Sequence, residues 1–199
     1  MGRKTIILCE GVHDLTLISL ILGRQKKTFW AKKWEDIEEY SHNTPPETTV
    51  ISEFMGRKGQ GISFLIKQDQ DVDFCIESFW SLYENYNGYD LKLIIDSDGE
   101  SSIRKIKQMM NGKIRRDVLQ QSESCPNFLC FKNSERKPAV FLYPRIDERE
   151  TGKLTELVKD AGCGNLKGCR NEDKRTEMLK DYLKMSHEWL TDVETFIME

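Results

Sequence analysis

The sequence contains no apolar stretch long enough to cross a membrane. A membrane-spanning helix needs roughly 20 consecutive apolar residues, and the longest apolar stretch here, over residues 6–21, is interrupted by Glu10, His13 and Asp14. The N-terminal residues, MGRKTIILCEG, also lack the apolar segment and cleavage site of a secretory signal. We therefore expect a cytoplasmic protein that has no membrane partner.

The sequence also lacks an excess of basic residues. Its 30 lysines and arginines are outnumbered by 33 aspartates and glutamates, and the formal net charge is −3. No global positive field therefore announces a nucleic-acid-binding protein. A local basic groove that faces acidic residues would be masked in this total, so nucleic acid stays open as a partner.

Cysteines are present, but their spacing is a weak indication of a metal site. In a cytosolic protein all of them are expected to be reduced, and several to be buried as small apolar side chains. The last four form two pairs with gaps of four and five residues, which are longer than in most zinc knuckles, so zinc binding is left open. The six cysteines are Cys9, Cys75, Cys125, Cys130, Cys163 and Cys169.

Short apolar runs alternate with segments of helical periodicity. This alternation predicts an α/β protein with a mostly parallel central sheet flanked by helices. The predicted strands are 5–9, 48–54, 91–95, 128–131 and 139–143, and the predicted helices are 14–22, 72–86, 101–114 and 154–158, with one long amphipathic helix at the C-terminus.

The chain divides into two predicted regions. Residues 1–160 are expected to form the α/β domain, in which residues 24–47 are an insertion. Residues 161–199 are expected to form a C-terminal helical extension that packs on this domain. With no internal repeat or low-complexity tract, the 199 residues suffice for one such domain with a sizeable core.

Carboxylates follow two of the predicted strands. Asp96 and Asp98 come directly after LKLII, and Glu10 comes directly after TIILC. The functional crevice of an open α/β sheet lies at the carboxyl ends of its strands, so these three acids should converge there. Clustered carboxylates repel one another unless a cation neutralises them, and Mg²⁺ prefers oxygen ligands of this kind. The pattern therefore predicts a site for Mg²⁺ or Mn²⁺.

The two motifs that carry these acids, ILCEGVHD and LIIDSDG, resemble the toprim domain superfamily. That superfamily includes topoisomerases, bacterial primases, recombination-mediator proteins and the overcoming-lysogenization-defect nucleases. The EG-x-x-D pattern of Glu10, Gly11 and Asp14 is most similar to the nuclease and small stand-alone toprim branches. The segments FMGRKGQGI and AVFLYPRIDERETGKLTELV fit those branches loosely, so the resemblance covers roughly residues 4–160.

The resemblance implies a toprim-like Rossmannoid fold with one or two bound metal ions. It implies that Glu10 is the general acid/base or a shared metal ligand, and that Asp96 and Asp98 bind Mg²⁺ or Mn²⁺. Asp14 and Glu156 would complete a second metal site.

The resemblance also implies a substrate and a reaction. Arg57 and Lys58, in the basic loop after the second predicted strand, would meet the phosphates of DNA or RNA. We therefore expect a Mg²⁺-dependent toprim-type nuclease or a related phosphoryl-transfer enzyme, which a separate ATPase or other regulatory protein could govern.

Structural roles compete with these functional ones. Asp14 could be a helix N-cap, and Asp98 with Gly99 could form an ordinary turn. Arg57 and Lys58 could be solvated loop charges, and Glu156 a helix-surface acid.

Two other functions also compete. A non-catalytic toprim module would bind nucleic acid or a partner protein through the same face. A haloacid-dehalogenase-type phosphatase would use an aspartate of the DSD motif as its nucleophile, but such enzymes usually carry this motif near the N-terminus. An EF-hand is excluded, because the sixth position of the loop that begins at Asp96 is Ser101 and the twelfth is Lys107.

Overall fold

The apolar runs of the sequence form the strands of one sheet. The computed structural model describes residues 4–24, 28–32, 50–55, 63–69, 71–85, 89–97, 108, 119–121, 127–131, 137–144, 152–158 and 171–199. The strands are β1 (Lys4–Cys9), β2 (Thr28–Lys32), β3 (Val50–Met55), β4 (Ser63–Gln68), β5 (Tyr89–Ile95), β6 (Leu119–Gln121), β7 (Phe128–Phe131) and β8 (Ala139–Leu142). The helices are α1 (Val12–Arg24), α2 (Val72–Asn85), α3 (Leu154–Leu157), α4 (Glu172–Lys184) and α5 (Glu188–Met198).

The sheet has a parallel centre and antiparallel edges. The strand order is β2-β3-β4-β1-β5-β8-β7-β6. The four central strands β4, β1, β5 and β8 are parallel, whereas β2 and β3 on one side and β7 and β6 on the other are joined by antiparallel pairing. The expected α/β class is confirmed, and the antiparallel strands widen the sheet beyond its parallel core.

Alternating side chains of β1 build two separate cores. Ile7 and Cys9 pack on one face of the sheet with α1, α4 and α5. Ile6 and Leu8 pack on the other face with α2. After β1, the chain passes through α1 on one face of the sheet and forms β2, β3 and β4 on one side of β1. It then returns through α2 on the opposite face to form β5 on the other side of β1. The strand order therefore changes direction at β1. Such a switch point leaves a crevice at the carboxyl ends of the strands.

The C-terminal region packs on the same core as α1. The expectation of a single long helix there is wrong, because Met185 and His187 have extended backbone conformations that separate α4 from α5. The rings of Tyr182 and His187 stack across this break with centroids 4.2 Å apart. None of the helices in the described part of the chain is long and apolar enough to span a membrane.

A buried lysine ties α5 to the middle of the sheet. Lys92 of β5 is buried, and its Nζ atom donates hydrogen bonds to the backbone oxygens of Phe196, at 2.5 Å, and Ile197, at 3.2 Å. These carbonyls belong to the last turn of α5, where a positive charge is favourable. The ammonium group therefore gains acceptors that burial would otherwise remove.

Three strands, β2, β4 and β6, were not expected from the sequence. β4 pairs directly with β1, but it ends in the polar residues Lys67 and Gln68, so its sequence does not have the continuous apolar run of a buried strand. Within the range expected to be an insertion, residues 28–32 form the edge strand β2. The helix expected over 101–114 and the glycine- and cysteine-rich segment 162–170 lie outside the described residues, apart from Gln108, which is helical.

Lys67 can be buried in β4 because it forms an ion pair with Asp69. The Lys67 side chain is 0 % exposed and its Nζ atom contacts Oδ1 of Asp69, which is also buried. The same Nζ atom donates to Oγ of Ser78 on α2 at 2.9 Å. Each charged group in this position compensates the desolvation of the other.

Lys67→Met should destabilise the protein because it leaves the Asp69 carboxylate buried without its counter-charge. We expect a loss of about 3–5 kcal/mol in the free energy of unfolding, measured by urea denaturation. The double substitution Lys67→Met with Asp69→Asn removes both charges and should recover much of that loss. Equal stability of the single and double variants would contradict the compensation of one charge by the other.

Candidate metal centre

Glu10 and Asp96 leave adjacent parallel strands at the same edge of the sheet. In the register of β1 and β5, Cys9 is opposite Ile94, so Glu10 lies one residue and Asp96 two residues beyond this last pair. The expected convergence of these two acids is therefore present in the backbone. Both side chains are partly buried.

Asp14 joins this pair from the first turn of α1. The helix begins at Val12, two residues earlier than expected, so Asp14 is not its N-cap. Instead, its Oδ2 atom accepts a hydrogen bond from the backbone N–H of Gly11 at 2.8 Å, as the third helical residue does in a capping box. Its Oδ1 atom accepts one from the hydroxyl of Tyr143 at 2.8 Å.

The proximity of the acids changes their protonation. Burial, together with the negative charges of Asp14 and Glu10, raises the pKa of Asp96 to about 8. Burial also raises the pKa of Asp14 to about 7, with a further contribution from Glu10, although the hydrogen bonds from Tyr143 and Gly11 oppose this shift. The negative charge of Glu10 therefore disfavours the ionisation of both aspartates, and that of Asp14 disfavours the ionisation of Asp96.

A backbone bridge holds the residues around Asp96. Ser97 and Gly152 exchange two backbone hydrogen bonds of 2.9 Å, and the N–H of Leu154 lies 3.4 Å from Oδ1 of Asp96. A Cβ atom at Gly152 would lie 2.0 Å from Oγ of Ser97 and 2.2 Å from the backbone oxygen of Tyr143. The close approach of these segments requires glycine at this position.

Tyr143 is a member of the site that the sequence did not indicate. It was expected only as the last residue of a strand, yet its hydroxyl contacts Asp14 and its backbone contacts both neighbours of Asp96. Burial and the adjacent Asp14 raise the pKa of Tyr143 well above the ordinary range, so it is a hydrogen-bond donor here. No pattern of spacing in the sequence connects residue 143 with residues 10 or 14.

The remaining expected site residues are Asp98, Arg57, Lys58 and Glu156. Asp98, Arg57 and Lys58 lie outside the described residues. Glu156 is partly buried on α3, two residues after Leu154.

The cysteines that could hold zinc are only partly described. Cys9 and Cys75 are buried free thiols and Cys130 is an exposed one. Burial raises the pKa of both Cys9 and Cys75 above the ordinary value, so neither is a ready thiolate ligand. Cys125, Cys163 and Cys169 lie outside the described residues.

The donor set at the sheet edge suits a hard cation in part. Glu10 and Asp96 present carboxylate oxygens, which Mg²⁺ and Mn²⁺ prefer. Both oxygens of Asp14 already accept hydrogen bonds, which suits a supporting role better than a ligand's. Within the described ranges, no group of three or more His, Cys, Asp or Glu side chains has the arrangement of a metal site. A third protein ligand would therefore have to come from outside those ranges, where Asp98 lies.

Comparison with known proteins adds no family to these observations: no family model, curated protein or solved structure matches the chain.

Asp96→Asn should stabilise the metal-free protein at alkaline pH. The raised pKa of Asp96 means that the folded protein keeps this proton while the unfolded chain releases it near pH 4. The free energy of unfolding of the wild type should therefore fall as the pH rises toward about 8. The asparagine variant lacks the contribution of Asp96 to this dependence and should gain on the order of a few kcal/mol at pH 8.

The measurement is urea denaturation in a chelator between pH 4 and pH 9. Glu177→Gln, at an exposed position of α4, is the matched control and should follow the wild-type pH profile. A constant difference in the free energy of unfolding between Asp96→Asn and the wild type over this range would contradict a raised pKa of Asp96 in the folded protein.

Proposed function

We propose that this chain is a Mg²⁺-dependent phosphoryl-transfer enzyme, a toprim-type nuclease that acts on nucleic acid. The observation that carries the proposal is the convergence of Glu10 and Asp96 at the carboxyl edge of adjacent parallel strands, beside Asp14. Burial and the charges of Asp14 and Glu10 raise the pKa of Asp96, so an ionised Asp96 is costly for the fold, and a divalent cation would offset that cost. The position at the switch point of the sheet supports a functional site as well.

In this proposal the acids have different tasks. Glu10 and Asp96, with Asp98, would hold the metal ion, and Glu10 would also serve as general acid/base. Asp14 would orient the start of α1 rather than bind a second ion, because its two oxygens accept hydrogen bonds from the protein. The bound metal would supply charge neutralisation of a phosphate and activation of a water molecule.

The proposed substrate follows from the metal ion and from two basic residues, Arg57 and Lys58. Mg²⁺ bound by few carboxylates retains coordination positions for phosphate oxygens. Arg57 and Lys58, which lie between β3 and β4 in the sequence, would contact further phosphates along a DNA or RNA strand. With a net charge of −3, the protein would depend on such local cations to bind a polyanion.

Metal binding is the first test of this function. We expect Mn²⁺ to bind the wild type in a calorimetric titration and to bind Asp96→Ala at least about 10-fold more weakly, since a ligand is lost. Glu177→Ala removes an exposed acid on α4 and should leave the affinity unchanged. If the wild type binds no Mn²⁺, or if Asp96→Ala binds it equally well, the metal site is wrong.

Cleavage is the second test. The wild type should cleave single-stranded, duplex or supercoiled nucleic acid in the presence of Mn²⁺, and Glu10→Gln should reduce the rate by at least about 100-fold through loss of the general acid/base. Activity that survives this substitution would contradict the assigned role of Glu10. Metal binding without cleavage of any substrate would instead identify a non-catalytic toprim module.

A further inference from the structure

One residue, Tyr143, is bonded to the segments that carry both proposed metal ligands. It follows β8 at the carboxyl edge of the sheet and is 1 % exposed. We infer that Tyr143 is a positioning residue that sets the separation of Glu10 and Asp96. This inference rests on the proposed function, since it assigns a task in holding the metal ion.

The backbone of Tyr143 brackets Asp96. Its N–H donates to the backbone oxygen of Ile95 at 3.2 Å, and its own backbone oxygen accepts a hydrogen bond of 2.6 Å from Oγ of Ser97. The residues immediately before and after Asp96 are therefore both bonded to Tyr143. This arrangement limits the movement of the Asp96 backbone in either direction along the strand.

The side chain of Tyr143 reaches toward Glu10 through one intermediary. Its hydroxyl donates to Oδ1 of Asp14 at 2.8 Å, and Oδ2 of the same carboxylate accepts from the N–H of Gly11 at 2.8 Å. Gly11 directly follows Glu10 in the chain. Two short hydrogen bonds thus connect the phenol of Tyr143 to the peptide next to Glu10.

The packing of the ring keeps this connection in place. Tyr143 makes edge-to-face contacts with Phe141, at a centroid distance of 5.9 Å, and with Trp189 of α5, at 6.0 Å. Its backbone oxygen faces Gly152, where no Cβ atom would fit. A ring confined on these sides cannot follow a displaced carboxylate, so it defines where Asp14 and Gly11 lie.

A tyrosine with only a structural task would stabilise the fold without affecting the metal. Removal of a group that orients metal ligands typically lowers metal affinity by about 10–100-fold. Tyr143→Phe retains the ring and deletes only the hydroxyl, and we expect it to weaken Mn²⁺ binding by about 10-fold or more. Ser97→Ala deletes the hydroxyl on the Asp96 side, and we expect it to weaken binding in the same direction.

Tyr182→Phe is the matched control. Tyr182 also donates its hydroxyl to a protein acceptor, the backbone oxygen of Leu157 at 2.8 Å, but it has no bond to the segments of Glu10 or Asp96 among the described residues. Its loss should lower stability without changing the Mn²⁺ affinity. Calorimetric Mn²⁺ titration of the full chain is the measurement, with circular dichroism to establish that each variant is folded.

A second readout needs no metal. Hydrogen exchange of the metal-free protein should show faster exchange at the amide of Gly11 in Tyr143→Phe than in the wild type, because its acceptor Asp14 is no longer held. The amide of Gly11 should be unaffected in Tyr182→Phe. If Ser97→Ala is the only site variant that folds, hydrogen exchange can still be measured. In that variant the amides of Ile95 and Ser97, on either side of Asp96, should exchange faster than in the wild type.

The outcomes distinguish the positioning role of Tyr143 from the proposed metal site. If the wild type binds Mn²⁺ and Tyr143→Phe and Ser97→Ala bind it with unchanged affinity, the positioning role is overturned while the metal site stands. If the wild type binds no Mn²⁺, the proposed function fails and the positioning role fails with it. Weakened binding in the two site variants, with wild-type affinity in Tyr182→Phe, supports the inference.

Discussion

The pairing of β1 with parallel neighbours on both sides is the constraint on which the rest of the structure depends. β5 aligns with β1 over its whole length and β4 aligns with it from Thr5 to Cys9, and successive side chains of β1 fill the cores on opposite faces. A slip of one residue would exchange these two sets. The same register brings Glu10 to the edge where Asp96 leaves β5, so core packing and the candidate site are specified by one set of backbone hydrogen bonds.

Asp14 and Asp96 lower the stability of the fold when they are ionised, and hydrogen bonds from the surrounding residues offset only part of this cost. Asp14 has two protein donors, from Tyr143 and Gly11, whereas the described contact to Asp96 is one long hydrogen bond from Leu154. The pKa of each carboxyl is raised nonetheless. Local rules of folding are often broken at functional positions. The difference in hydrogen bonding distinguishes Asp14, a supporting carboxylate, from Asp96, which is available to a ligand.

The central strands and the acids at their tips were predictable because their signals are local. The runs TIILC and LKLII are apolar except for Thr5 and Lys92 and are followed directly by carboxylates, which is how strands buried on both faces read. β4 was not predictable in this way, because its apolar run is only FLI and is followed by Lys67, whose burial depends on contacts with Asp69 and with Ser78 of α2.

The same limit applies to the roles of single residues. Asp14 was assigned as a cap or a ligand from its spacing, but its partner Tyr143 is 129 residues away in sequence. The break between α4 and α5 has no proline or glycine to announce it and is accompanied by the stacking of Tyr182 on His187. Long-range contacts of this kind decide local structure without leaving a local pattern.

The contact between Lys92 and the last turn of α5 has a consequence for biosynthesis. Lys92 precedes Phe196 by 104 residues, so a ribosome working at about 5–20 residues per second exposes the β5 ammonium for about 5–20 s before its acceptors exist. During that interval the face of the sheet that α5 covers stays open, and unfinished parallel sheets are prone to aggregation. The nascent chain therefore has a defined period in which protection by a chaperone would matter most.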